Sequence, residues 1–104
     1  MMVARWHIQA KFGHKQALIE LLKTWDREIG AKAGLEADRF RILTGSVGGR
    51  EADIESEVEI RDLSELNAFF EKLAQMPEHA DFAKRVEPHM VSGSTYWTVY
   101  RLIQ

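Results

Sequence analysis

One histidine lies close to a row of carboxylates, and this combination could carry proton chemistry. His7 belongs to a segment in which polar and apolar residues alternate, and an imidazole can exchange protons near neutral pH. A second alternating segment places five acidic side chains on one side: Glu51, Asp53, Glu55, Glu57 and Glu59. His7 is therefore the candidate catalytic residue. A histidine that only balances the acidic row would show the same pattern, so this interpretation stays open beside it.

The side chains that share the face of His7 are candidates for a ligand pocket. A row of carboxylates cannot point into an apolar core, because each unpaired buried charge would cost several kcal/mol. The acidic row must therefore lie on the open side of a sheet, away from the helices. The predicted pocket residues on this face are Arg5, His7, Gln9, Arg41, Glu55, Glu57, Tyr96 and Tyr100.

A metal site is a second use of the same residues. His7 with Glu55 or Glu57 could hold a divalent ion, but the sequence has no His-x-x-His or comparable spacing. Neutralisation of the acids by arginines is the better explanation, so we predict no metal and no other cofactor. His14, His79 and His89 receive no chemical role from the sequence.

The elements that must position these residues follow from hydrophobic periodicity. Alternation predicts strands, and apolar residues at spacings of three and four predict helices. Asp62 and Glu65 form a D-x-x-E capping box at the start of the second helix. The predicted order is a strand over Met2–Phe12, a helix over His14–Gly30, strands over Arg39–Val47 and Glu51–Arg61, a helix over Asp62–Met76, a shorter helix ended by Pro88, and a strand over Thr95–Ile103.

This β-α-β-β-α-(α)-β order predicts an α+β, ferredoxin-like sandwich with both main helices on one face of a four-stranded antiparallel sheet. Strand three should lie between strands one and two, and strand four outside strand one. A hairpin register with an even residue sum opposes Arg39 and Arg41 to the acidic row. In strand four, Trp97, Val99 and Ile103 are placed on the core side.

Composition limits the class of protein. The chain has 104 residues, 45% hydrophobic and 29% charged, so we expect one folded domain over residues 1–104. It has no cysteine, and no stretch approaches the roughly 20 apolar residues of a membrane span. The net charge of -2 and the acidic row argue against a nucleic-acid partner. We therefore expect a cytoplasmic protein with no nucleic-acid or membrane partner.

The open face has three possible fates: solvation, contact with a second copy of the chain, or enclosure of a pocket. Leu43, Tyr96 and Tyr100 share the polar side and would give a partner sheet apolar area to cover. These residues favour a homodimer.

The order of elements, with Lys11-Phe12-Gly13-His14 before the long helix and Phe82–Pro88 before the last strand, resembles the dimeric α/β-barrel superfamily. It is most similar to the antibiotic-biosynthesis-monooxygenase-like and NIPSNAP-like domains, over nearly the whole chain but by pattern and length alone. The resemblance implies two sheets that face each other across a two-fold axis and enclose a lumen. Activities in the superfamily range from cofactor-free oxygenation of aromatic polyketides to haem degradation, and some members have no known activity.

The haem-degrading members carry an Asn on strand one, a Trp on helix two and a His near the end of that helix. This chain has Arg5, His7 and Gln9 at the polar positions of strand one, and only His79 lies near the position of the haem ligand. The leading hypothesis is thus a homodimer that binds a small organic molecule in the lumen, with a cofactor-independent monooxygenase-like activity. The alternatives are a non-catalytic homodimer whose polar face is only interface and, third, a haem-binding protein.

Overall fold

A computed structural model describes residues 1–103 of the chain. An α-helix over Lys15–Trp25 continues without a break into a five-residue π-helix, Asp26–Gly30, and short 3-10 turns cover Ala37–Arg39 and Glu87–His89. The main elements are β1 (Met2–Gln9), α1 (Lys15–Trp25), β2 (Phe40–Thr44), β3 (Asp53–Ile60), α2 (Leu63–Ala74), α3 (Pro77–Val86) and β4 (Tyr96–Arg101). No helix in residues 1–103 is long and apolar enough to cross a membrane.

The four strands form one antiparallel sheet in the order β2-β3-β1-β4, which confirms the predicted ferredoxin-like topology. Arg41 pairs with Glu57 and Ile42 with Ser56, so the predicted even register between β2 and β3 is also confirmed. Trp6 pairs with Trp97 across β1 and β4. Residues that face each other across a ladder share a side of the sheet, so Trp97 lies on the helix side as predicted. Ile103 lies beyond the end of β4 and is 83% exposed, so its predicted place on the core side is wrong.

The core lies between the sheet and the helices because one side of each central strand is apolar. Ala4 and Ile8 of β1 and Ile54 and Val58 of β3 are almost fully buried. The helices cover them with large apolar side chains at helical spacing. These helix residues are Leu18, Leu22, Leu66, Phe69, Leu73, Phe82 and Val86.

The capping box of α2 is confirmed with one difference. The Asp62 side chain accepts a hydrogen bond from the Glu65 N–H at 2.9 Å, as an N-cap should. The Glu65 carboxylate returns to the N–H of Arg61 rather than of Asp62. Glu65 also binds the guanidinium of Arg39 at 2.6 Å, so Arg39 ties the start of β2 to α2.

All four strands are shorter than their patterns predict, and the structure explains where β1 and β2 end. β1 ends at Gln9, and beyond it Ala10 forms only an isolated bridge to Met90, because the chain turns at Gly13, whose φ is +83°. β2 begins at Phe40, so Arg39 precedes the ladder, and its guanidinium donates to the Glu59 carbonyl instead of a carboxylate of the acidic row. β2 ends before Gly45, where a Cβ would lie 2.0 Å from the Arg50 carbonyl oxygen.

Candidate functional site

The open face of the sheet is built around one buried carboxylate. Glu57 lies in the middle of β3 and is only 2% exposed. Arg5 on β1 binds one of its oxygens through Nε at 2.9 Å and Nη2 at 2.8 Å, and Arg41 on β2 binds the other oxygen. Such charge-assisted bonds from both sides neutralise the acid and hold all three side chains in place. Glu57 is therefore a structural anion with both oxygens engaged.

His7 is held on the same face by three neighbours. Its Nε2 lies 2.8 Å from the Thr98 hydroxyl, and its Nδ1 lies 3.8 Å from a Glu55 oxygen. The Tyr96 ring stacks on the imidazole with centroids 4.2 Å apart. These contacts place His7 in a packed network in which Nε2 has a hydrogen-bond partner and Nδ1 lies near a carboxylate without a hydrogen bond to it.

The structure brings all eight predicted pocket residues to this face. The Arg5 guanidinium lies 5.8 Å from the centre of the Tyr100 ring, and Gln9 pairs with Asp53 at the end of β1. Tyr96 and Tyr100 remain more than half exposed. Whether a second copy encloses these residues in a lumen stays a prediction, because one chain leaves this face open.

A cavity of about 420 Å³ lies on the other side of the sheet, beneath the helices. Its wall contains six aromatic side chains: Trp6, Trp25, Phe40, Phe70, Phe82 and Trp97. Leu22, Leu73, Val86 and Met90 add aliphatic surface, and Ser56, His79 and Thr95 add polar side chains. Within residues 1–103, none of the eight predicted pocket residues takes part in this wall. The site is thus an aromatic cavity with a few polar groups, which is the usual composition of a small-molecule pocket.

His79, in the first turn of α3, is held in one tautomer. The Trp25 indole N–H can only donate, and it donates to His79 Nδ1 at 3.3 Å. The neutral ring therefore carries its hydrogen on Nε2. Burial lowers the pKa of His79, which keeps the ring neutral at neutral pH. His79 thus gives the cavity wall a neutral imidazole with one N–H donor.

Asp26 is a buried acid next to this cavity. It is 7% exposed and begins the π-helix directly after Trp25. Burial raises the pKa of Asp26 to about 7, and a side-chain hydrogen bond with Ser56 opposes that rise. Its Oδ1 atom is buried without a hydrogen-bond partner among residues 1–103. A buried, incompletely satisfied carboxyl is rare in proteins and is often found at functional sites.

Several solved structures share the architecture of this chain over nearly the whole length of both proteins. An uncharacterized NIPSNAP domain protein from Burkholderia xenovorans is 16% identical, with a TM-score of 0.76 over 99% of this chain and 95% of that chain. A NIPSNAP family protein from Agrobacterium tumefaciens is 15% identical, with a TM-score of 0.75 over 96% and 90%. A proposed antibiotic biosynthesis monooxygenase from Deinococcus radiodurans is 10% identical, with a TM-score of 0.68 over 100% and 94%.

The chain has the NIPSNAP-like fold. The resemblance inferred from the order of elements is therefore confirmed at the level of architecture. No protein-family model matches the sequence, and no curated protein matches it. At 10–16% identity the fold is shared but its activities do not transfer, so the chemistry must be argued from this chain's own residues.

The residues of this cavity do not fit haem. His79 lies in the wall, but its Nδ1 accepts from the Trp25 indole and its Nε2 carries the hydrogen, so neither nitrogen has a free lone pair for an iron atom. Over the described part of the chain, the wall also has no arginine or lysine for the two carboxylates of a porphyrin. Strand β1 contributes Trp6 to the wall rather than the Asn that the haem-degrading members carry on this strand. Haem is therefore not assigned to this cavity.

The sequence patterns did not select Asp26 or Ser56 as site residues. A signal for both was present in the periodicity. Asp26 continues the i, i+4 series of Leu18 and Leu22, so it lies on the buried stripe of the helix. Ser56 interrupts the apolar side of β3 between Ile54 and Val58. A polar residue at a core position is the informative exception in such patterns.

Proposed function

We propose that this protein binds a small, neutral aromatic molecule in the cavity between the helices and the sheet. The aromatic wall is the observation that carries the proposal. Six aromatic side chains surround about 420 Å³, a volume within the range of roughly 300–1,000 Å³ typical of ligand pockets. Within residues 1–103 the wall holds no Asp, Glu, Lys or Arg, so an uncharged ligand fits it best.

This proposal moves the ligand to the opposite face from the lumen that the sequence predicts. On the open face, Glu57 is neutralised by Arg5 and Arg41, and the nitrogens of His7 face Thr98 and Glu55. A ligand there would have to compete with contacts that already exist. The lumen remains the alternative site, and it requires a second copy of the chain.

We also propose that the open face is the interface of a homodimer. Leu43, Tyr96 and Tyr100 are exposed by 40%, 57% and 59%, and they lie around charges that are already paired within the chain. A face of this kind can be covered at low desolvation cost because its central ions stay paired. Light scattering at micromolar concentration should give twice the mass of the 12.0 kDa chain. A single-chain mass across that range would overturn this part of the proposal.

A cofactor-independent, monooxygenase-like reaction is the finer form of the proposal. Its support is that several structures with this fold carry that name, and that His79 and Asp26 supply protonatable groups beside the cavity. Oxygen uptake in the presence of hydroxylated aromatic compounds tests it. Binding without oxygen uptake would leave the non-catalytic alternative.

A cytoplasmic location and the absence of a nucleic-acid partner are retained as predictions from the sequence.

The three tryptophans of the chain allow a direct binding test, because all three line the cavity. A nitroaromatic ether such as 4-nitroanisole should quench their fluorescence saturably. Ala83, at the exposed edge of the wall, should block entry when replaced by methionine. Ala83→Met should weaken binding about tenfold, equivalent to about 1.4 kcal/mol.

Ala80→Met is the matched control, since Ala80 is exposed on the same helix and lies outside the wall. It should bind like the wild type. Linear quenching without saturation in the wild type would overturn the proposal, and equal affinity in the Ala83 and Ala80 variants would place the ligand elsewhere.

A further inference from the structure

We propose that Ser56 and Asp26 act as a hydrogen-bonding pair that selects aromatic ligands bearing a hydroxyl group, of the phenol class. Ser56 would contact the ligand, and Asp26 would orient the Ser56 hydroxyl. This inference rests on the proposed function, because it assigns chemistry to the same cavity. It concerns which aromatic molecules bind rather than whether they bind.

The position of the pair supports this assignment. Ser56 lies in β3 between Trp6 and Ile42 of the neighbouring strands, is 6% exposed, and forms part of the cavity wall. The Asp26 carboxyl is close enough to the Ser56 hydroxyl for a side-chain hydrogen bond between them, and its Oδ1 is buried without another partner among the described residues. The other hydroxyl of the wall, on Thr95, belongs to an exposed residue. Ser56 is therefore the buried hydroxyl that a ligand in this cavity would meet.

The unsatisfied oxygen of Asp26 shows that the pair is not optimised for packing. Its Oδ1 has no partner among the described residues, and burial of such a group costs on the order of 1–3 kcal/mol. An apolar residue at this position would continue the stripe of Leu18 and Leu22 without that cost. The carboxyl is thus explained better by what it does to Ser56 than by the stability of the core.

The protonation state of Asp26 decides which kind of group Ser56 can bind. An ionised carboxylate only accepts, so the Ser56 O–H must donate to it, and the free lone pairs of Oγ then accept an O–H from the ligand. A protonated carboxyl can donate to Ser56 instead, which frees the Ser56 O–H for an ether or carbonyl oxygen. The preference for a phenol over its ether should therefore strengthen as Asp26 ionises.

Few other groups could produce this pH dependence. Among residues 1–103, His79 is the only titratable residue in the wall, and burial already lowers the pKa that governs its charge. Arg27 and Glu28, which follow Asp26 in the π-helix, are exposed. On the 3-10 turn that packs against the π-helix, Asp38 is exposed and Arg39 is paired with Glu65. On β3, Ile54 and Val58 flank Ser56 on the same side and are apolar. The groups around Asp26 on the strand are thus uncharged, and a change in selectivity near neutral pH points to Asp26.

The test compares 4-methylphenol with 4-methylanisole, which differ by a methyl group on the oxygen. Each is titrated against the complex with 4-nitroanisole, and recovery of tryptophan fluorescence reports displacement. At pH 8 the phenol should bind about tenfold more tightly than the ether, and the ratio should fall towards one at pH 6. Ser56→Ala should reduce the ratio to within about twofold at both pH values, because the contacting hydroxyl is gone. Asp26→Asn should make the ratio independent of pH.

Ser64→Ala is the matched control, since Ser64 is exposed on α2 and lies outside the wall, and it should keep the wild-type ratio and its pH dependence. Circular dichroism confirms that each variant is folded, and the Asp26 variant carries the test if Ser56→Ala does not fold. Equal binding of phenol and ether by the wild type at pH 8 would overturn the inference but leave the proposed function intact. A wild-type pH dependence that persists in Asp26→Asn would also overturn it. If 4-nitroanisole does not bind, the proposed function is overturned, and this inference is overturned with it.

Discussion

Two nearly fully buried carboxyls lie on opposite faces of the same sheet and have different surroundings. Glu57, on the open face, is 2% exposed and has an arginine on each oxygen. Asp26, on the helix side, is 7% exposed, has Ser56 as its hydrogen-bond partner and keeps one oxygen unsatisfied within the described chain. The two cases show that burial alone does not define a site. The acid without a cation is the one whose protonation can respond to a ligand.

The same comparison shows that a buried carboxyl can stabilise or destabilise the folded protein, depending on its partners. The open face keeps its charges because opposite charges meet in good geometry, which limits the desolvation cost. The helix side keeps an acid at a cost in stability, beside an aromatic cavity that a ligand could fill. Changing one member of each pair therefore has opposite expected results.

The largest expected effect is a gain in stability from Asp26→Asn at high pH. The folded protein holds the Asp26 proton up to a pKa of about 7, whereas the unfolded chain releases it near 3.8. The folded state thus binds more protons between these values, so the free energy of unfolding falls as pH rises through that window and then levels off. The variant should be more stable by up to about 4 kcal/mol at pH 8 and by less than about 1 kcal/mol near pH 4.

Urea unfolding at the two pH values measures this difference. Asp38→Asn is the control, because Asp38 is exposed on a short turn and should show no such pH dependence. A gain of the same size at both pH values would show that Asp26 is not the titrating group.

The next effect is a loss of stability from Glu57→Gln. The amide keeps the size of the side chain but leaves Arg5 and Arg41 without their anion. Breaking a buried ion pair costs about 3–5 kcal/mol, and we expect about 2 kcal/mol because the Arg41 side chain is 67% exposed and can turn to water. Denaturant unfolding measures it. Glu59→Gln, at an exposed position of the same strand, should change stability by less than about 0.5 kcal/mol, and equal losses would refute the distinction.

A smaller effect is expected on association. Arg41→Glu places a second acid beside Glu57 on the proposed interface, so the dimer dissociation constant should rise at least about tenfold. Sedimentation of the folded variant measures the constant. Arg27→Glu makes the same charge change at an exposed position of the helical segment and should leave association unchanged. Unaltered association of the Arg41 variant would argue against this face as the interface.

The smallest effects distinguish the two candidate ligand sites. His7→Ala removes the imidazole from the open face and should leave 4-nitroanisole affinity within about twofold of the wild type. His79→Ala removes a residue of the cavity wall and should weaken binding about threefold. The reverse result would move the ligand to the lumen between two copies.

The fold could be predicted because polar and apolar residues alternate along its central strands, which assigns one side of each strand to the core. Four acidic residues on one side of β3 allow one orientation of the strand, and Arg41 opposite Glu57 follows from that orientation. The end of β2 could not be predicted from alternation, since it depends on the close approach of Gly45 to the Arg50 backbone. The alternation of polar and apolar residues in the sequence continues past the point at which contacts distant in sequence end the strand.

The candidate site was harder to predict for a physical reason. A cavity is the space that side chains leave unfilled, and the same Trp25, Phe70 and Phe82 would be expected in a fully packed core. Asp26 could have been selected as a polar residue on the buried stripe. Its lack of a cationic partner, however, depends on residues distant in sequence. The sequence therefore predicts the charged face of the sheet more readily than it predicts the cavity on the helix side.

The widened turn that follows α1 makes the site sensitive to chain length as well as to composition. A π-helix spaces its hydrogen bonds one residue further apart than an α-helix does, so Asp26–Gly30 holds one residue beyond the regular repeat. Deleting one residue there would let the turn close to regular α-helical winding, and the residues after the deletion would keep their present orientation. Ile29 would stay in the core, and Gly30 would stay against the Phe40 ring. Such a deletion should therefore alter the immediate surroundings of Asp26 and leave the rest of the core in place.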